Sequence, residues 1–116
     1  MTFEELKEIC TNYNLVCEKY YDYWYSRNYI SGYTFKTVNQ TTLVYFCVIN
    51  NRVHFLPYVS EENNWAKISE SWNHKIFLIK NLNKEKAIEL LNYMLKKHKE
   101  IQFQKKQKEI ETDFED

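Results

Sequence analysis

The chain has 116 residues, 44% of them hydrophobic and 28% charged, which is the size and composition of one globular domain. Sixteen basic side chains balance sixteen acidic ones, so attraction of the whole molecule to nucleic acid or to an anionic membrane is not expected and must come from local asymmetry. Three cysteines form no framework, and the N-terminus lacks a basic region followed by a hydrophobic run and cleavage site. The chain therefore reads as cytoplasmic with reduced thiols.

The longest apolar run, residues 43–49, is far short of the ~20 residues that cross a bilayer, so no membrane partner is expected. Arg27 and Arg52 are the only arginines among the sixteen basic residues, and Gly32 and Pro57 are the only residues of their types. Lys, Asn, Ile and Tyr have AT-rich codons, so this bias points to an AT-rich genome.

Thr2 with Glu5 three residues on is a capping-box pattern, predicting a helix from residue 3. Phe3, Leu6, Cys10, Tyr13, Cys17, Tyr20 and Trp24 then recur at alternating spacings of three and four. That stripe predicts one long amphipathic helix to about residue 25, although the alternation of Tyr21, Tyr23 and Tyr25 would also suit a strand from about residue 15.

The middle of the chain changes period. Residues 33–38, 41–49 and 52–59 are rich in β-branched and aromatic side chains and predict three strands in a meander. Asn50 and Asn51 would form the turn between the last two, because Asn tolerates positive φ. Residues 43–49 are apolar on both faces, which predicts a central strand, and Pro57 predicts that the third strand ends or lies at an edge.

Trp65, Ile68 and Trp72 at helical spacing predict a short helix, and residues 75–80 a fourth strand. Asn83 is the expected N-cap of a second long helix, with Ile88, Leu91, Leu95 and His98 on one face and Ala87 and Met94 reinforcing it. The fold class expected is α+β, an antiparallel sheet of about four strands with two long helices packed on it. Residues 1–104 would be a single globular domain and residues 105–116 a charged helical extension or tail. The expected core comprises Phe3, Leu6, Cys17, Leu43, Phe46, Val48, Phe55, Ile76, Leu78, Leu91 and Leu95. The order of helix, strands and helix is superficially similar to the double-stranded-RNA-binding domain. Residues 81–86 carry only two lysines and no glycine and follow an extra strand, which rejects that resemblance.

No catalytic signature emerges. Cys10, Cys17 and Cys47 fall at apolar positions, where desolvation holds thiols neutral. His54, His74 and His98 have few aspartates to orient them, since Asp22, Asp113 and Asp116 are the only ones. No cofactor or metal is expected: the cysteine and histidine spacings match no zinc site, and a single glycine makes no phosphate cradle.

Two features point to partners. Tyr21, Tyr23, Tyr25 and Tyr29 crowd around Arg27, the combination that protein interfaces enrich, and they are the expected partner-binding residues. Lys96, Lys97, Lys99, Lys105, Lys106 and Lys108 lie in one stretch with a single glutamate and offer an alternative, nucleic-acid binding, although five carboxylates follow as internal counterions. The chain thus reads as a small non-enzymatic protein-binding module. Its composition suits an accessory or inhibitory protein of a phage or mobile element that occludes its partner.

Overall fold

A computed structural model of the chain describes residues 1–21, 30–61 and 64–113. It is an α+β fold. Helix α1 (Phe3–Asn12) is followed by strands β1 (Val16–Tyr21), β2 (Ile30–Lys36), β3 (Thr42–Cys47), β4 (Arg52–Phe55), β5 (Tyr58–Glu61), β6 (Asn64–Lys67) and β7 (Lys75–Leu78). A 3-10 turn, Ile79–Asn81, leads into helix α2 (Lys84–Asp113). Strands β1-β2-β3-β4-β7 form an antiparallel five-stranded sheet in that order, and β5 pairs with β6 in a separate two-stranded sheet.

The capping box forms as its spacing dictates. The Glu5 amide donates to Thr2 Oγ1 and the Thr2 amide to Glu5 Oε1, both at 3.2 Å. Lys84 Nζ lies 3.2 Å from Glu5 Oε2, tying the starts of the two helices together. This ammonium, with the Thr2 amide, holds the Glu5 carboxyl below its ordinary pKa.

Helix α1 stops at Asn12, which corrects the single helix expected to residue 25. Asn14 adopts φ of 64°, the Leu15 amide donates to the Cys10 carbonyl at 3.0 Å, and the Asn14 amide donates to the Thr11 carbonyl at 3.0 Å. That is the left-handed C-terminal cap in which two bonds satisfy the last carbonyls of a helix. The chain then turns into β1, where pairing with β2 satisfies the backbone, and Cys17 lies opposite Phe35. The strand reading of the tyrosine alternation prevails through Tyr21.

Strand β3 is central, as its apolar run requires. It is shorter than residues 41–49, because Val48 and Ile49 belong to the turn, where Asn51 takes a positive φ of 55° and Asn50 Oδ1 accepts from the Arg52 amide. A register shift between Phe35 and Lys36 leaves Leu43 as an extra residue, so that Leu43 and the neighbouring Val44 are both fully buried. Strand β4 ends at Phe55, before Pro57.

The helix expected over Trp65, Ile68 and Trp72 is a strand and a turn. β6 pairs with β5, the Ile68 amide continues the pairing to the Pro57 carbonyl at 2.8 Å, and Trp72 closes a turn onto Ser69. Ile68 and Trp72 are buried, while Trp65 is 64% exposed. Trp72 stacks on Tyr93 of α2 with ring centroids 5.1 Å apart, and Lys75 and Lys97 lie over the Trp72 and Tyr93 rings respectively.

Alternation along the strands sorts the sheet into two faces. Tyr33, Phe35, Val44, Phe46, Val53, Phe55 and Phe77 share one face, and both helices cover it. Phe3 of α1 packs its ring 4.6 Å from Tyr33 and 4.9 Å from Phe46. Helix α2, capped by Asn83 Oδ1 accepting from the Lys86 amide at 2.7 Å, buries Ala87, Leu90, Leu91, Met94 and His98. Ile88 is more exposed than its expected place on that stripe, because the buried arc centres on Ala87, Leu91 and Met94. Ile76, expected in the core, is 47% exposed: it lies opposite His54, on the face that the helices leave uncovered.

Gly32 is required where it stands. A Cβ there would fall on the Phe46 carbonyl oxygen and lie 2.8 Å from the ring and hydroxyl of Tyr45. Its φ is not positive, so the need is for space rather than for a special conformation. Gly32→Ala should therefore destabilise the fold by about 1–3 kcal/mol, the cost of overpacking, in urea unfolding. Adding Tyr45→Ala should not restore stability, because the closest obstacle is backbone.

Candidate functional site

The uncovered face of the sheet is built by register. Across one row, Glu18, Thr34, Tyr45, His54 and Ile76 lie opposite one another on β1, β2, β3, β4 and β7. Across the next row Tyr20 opposes Gly32, and Gly32 opposes Cys47. Because Gly32 has no side chain, the Tyr45 ring lies over it and meets the Tyr20 ring edge-on at 5.7 Å. Tyr20 is half exposed.

His54 and His74 meet on this face. His74 is two residues before Ile76, the cross-strand partner of His54, so both side chains emerge on one side as diagonal neighbours. His54 Nδ1 lies 3.1 Å from His74 Nε2, and the Tyr45 ring flanks His54 at 5.7 Å. Since both ring nitrogens cannot donate, one imidazole presents N–H and the other a lone pair. Burial, then the His74 and Arg52 charges, push the His54 pKa below its ordinary value.

Two adjoining hollows open here. One, of about 430 Å³, is lined by Tyr20, Thr34, Thr42, Tyr45, His54, Leu56 and His74. The other, of about 480 Å³, is lined by Thr42, Leu56, Pro57, Tyr58, Trp65 and His74, with the β5–β6 hairpin as its far wall. They share Thr42, Leu56 and His74, so they form one depression from the sheet to the hairpin. Among the described residues no lysine, arginine, aspartate or glutamate lines it.

The residues singled out in the sequence are placed unevenly. Tyr21 ends β1, half-buried and opposite Ile30, while Tyr23, Tyr25, Arg27 and Tyr29 lie outside the described residues. Of the described tyrosines near that cluster, Tyr20, left out of the expected binding set, reaches the depression. Trp65 and Tyr58 were also missed, since a tryptophan at helical spacing reads as core until β6 is known to pair with β5.

The six lysines share α2 but not one face. At ~100° per residue Lys96, Lys99 and Lys106 fall on one side, Lys97 and Lys108 on another, and Lys105 on the continuation of the buried stripe. Phe103 and Ile110, both exposed, fall around the axis between Lys96 and Lys99 on the first side. Lys97 lies 3.2 Å from Glu100 as well as over Tyr93, and Lys105 and Lys108 are also engaged.

The thiols are held neutral where the sequence analysis expects it for two of them. Burial pushes the Cys10 thiol up to about 12 and raises that of Cys17. Among the described residues no group of three or more His, Cys, Asp and Glu side chains is arranged to hold a metal. No described helix is long and apolar enough to cross a membrane.

His98 is a separate case, buried on α2 beneath the fold with Nδ1 lacking a hydrogen-bond partner among the described residues. Burial lowers its pKa from the ordinary 6.5. The unfolded chain therefore binds the proton first, and stability is full above about pH 6.5 and is lost as the pH falls from there toward the lowered folded value. Denaturant unfolding between neutral and mildly acid pH should show this loss, and His98→Leu should reduce it, leaving the part that the lowered pKa of His54 contributes.

No protein-family model matches this chain, and no curated protein or solved structure shows significant similarity to it.

Proposed function

We propose that this chain is a non-enzymatic binding module that docks an apolar, aromatic-bearing segment of another protein on the open face of its sheet. The observation that carries this reading is the depression walled by Tyr20, Tyr45, Tyr58 and Trp65, with no charged side chain among its described lining, on the face that neither helix covers. Rings that are 46–64% exposed at Tyr20, Tyr58 and Trp65 give up water at little cost in side-chain entropy. Such a surface complements apolar side chains. The described lining of the depression offers a phosphate backbone no lysine or arginine, and the lysines of α2 are divided among different sides of the helix.

The tyrosine-rich residues 22–29 follow Tyr20 and Tyr21 directly in the chain, and they belong to the same proposed interface. Occlusion of the partner is the mode of action this reading assigns, since docking would cover the bound segment with a whole domain.

Selection of a random peptide library on the immobilised chain tests the reading. Bound peptides should be rich in aromatic and aliphatic residues. Trp65→Ser combined with Tyr58→Ser should weaken them by about 2 kcal/mol or more, roughly 30-fold, as interface aromatics do. Because both rings are exposed, thermal stability should change by no more than about 0.5 kcal/mol. Peptides that bind the double variant equally well would refute the assignment. A gel shift with duplex DNA that disappears on Lys99→Glu with Lys106→Glu would favour the nucleic-acid alternative instead.

A further inference from the structure

We infer that His54 and His74 form a two-nitrogen site for a divalent transition-metal ion, of the class that prefers imidazole, at the junction of the two hollows. The argument is geometric and independent of the docking reading. Zinc-type ions sit about 2.0–2.1 Å from each histidine nitrogen, so two nitrogens on one ion stand about 2.9–3.4 Å apart for N–metal–N angles from square to tetrahedral. His54 Nδ1 and His74 Nε2 are 3.1 Å apart and face each other, so the rings are already at that spacing. The spacing is met without backbone movement, and each ring needs to tilt by about 35–45° for its lone pair to leave the N···N line and meet the other at the ion.

The pair is held from the sheet. His54 is in β4 between two paired strands, with the Tyr45 ring against it, and His74 immediately precedes β7. In the metal-free pair one ring donates N–H to the other. On binding, that proton moves to the second nitrogen of its own ring, both facing lone pairs go to the metal, and no net proton is lost from the neutral pair. The remaining coordination positions open to the depression, where water or a donor from a docked molecule completes them. The described lining offers two imidazoles and no carboxylate, a donor set that suits imidazole-preferring ions over oxygen-seeking ones such as Mg²⁺ and Ca²⁺.

Isothermal titration of the full chain with ZnCl₂ and with NiCl₂ near neutral pH tests this, with the imidazole resonances followed by NMR. Saturable binding of one equivalent is expected, with the His54 and His74 signals shifting and those of His98 unmoved. Loss of a hydrogen-bonding partner of a metal ligand already costs about 10–100-fold in affinity, so His54→Gln and His74→Gln should each weaken binding at least tenfold. Cys47→Ser should leave it unchanged, as should His98→Gln, and MgCl₂ should give no heat of binding. The wild-type NMR shifts stand even if a variant folds poorly. Absence of one-equivalent binding, shifts confined to other residues, or affinity that survives both histidine substitutions would overturn the site.

Discussion

Burial of one face of the five-stranded sheet under α1 and α2 is the constraint from which the rest of this molecule follows. Phe35, Val44, Val53 and Phe55 are fully buried there, with Phe46 nearly so, and Phe3 closes over Tyr33 and Phe46. Each large apolar side chain removed from water contributes about 1.5–3 kcal/mol, so this face holds the register of every strand that crosses it. Strand geometry then leaves no freedom on the other side. Residues between the buried ones must point outward, and in this chain they include Val16, Tyr20, Tyr45, His54 and Ile76 as well as Glu18 and Lys36.

The outer face is differentiated along the strands. Glu18 and Lys36 form an ion pair at 2.9 Å near the β1 edge, while Tyr20, Tyr45 and His54 bring their rings together towards the centre. Gly32 supports that centre: a side chain there would meet the Tyr45 ring, which lies over Gly32 and against Tyr20. The hairpin of β5 and β6 adds Tyr58 and Trp65 as a second wall because Val59, on its other side, is fully buried and α2 packs against β5. The same burial that stabilises the hairpin therefore orients its two rings outward.

Charge counting along α2 illustrates how far composition and geometry diverge. Six lysines against one glutamate in residues 96–108 read as a basic stripe. Helical periodicity distributes them around the axis, and one packs over Tyr93 while pairing with Glu100. Local net charge is a property of the segment, whereas a phosphate-binding surface is a property of one face.

What the sequence determined by itself was what depends on neighbours three to five residues away. The capping box at Thr2 and Glu5, the Asn83 cap and the positive φ at Asn51 have their causes within a short stretch of chain, and the apolar run of β3 marked it for burial on both faces. The α1 stop at Asn14 was equally local, yet the spacing of Tyr13, Cys17 and Tyr20 fitted a helix as well as a strand. Only pairing with β2 separated the two. Tertiary structure alone decided that β1 and β6 are strands, that Ile76 and Trp65 face outward, and that His54 and His74 meet across 20 residues of sequence. The physical reason is that a helix closes its hydrogen bonds within itself, whereas a strand borrows its partners from distant backbone, and with them the face on which each side chain emerges.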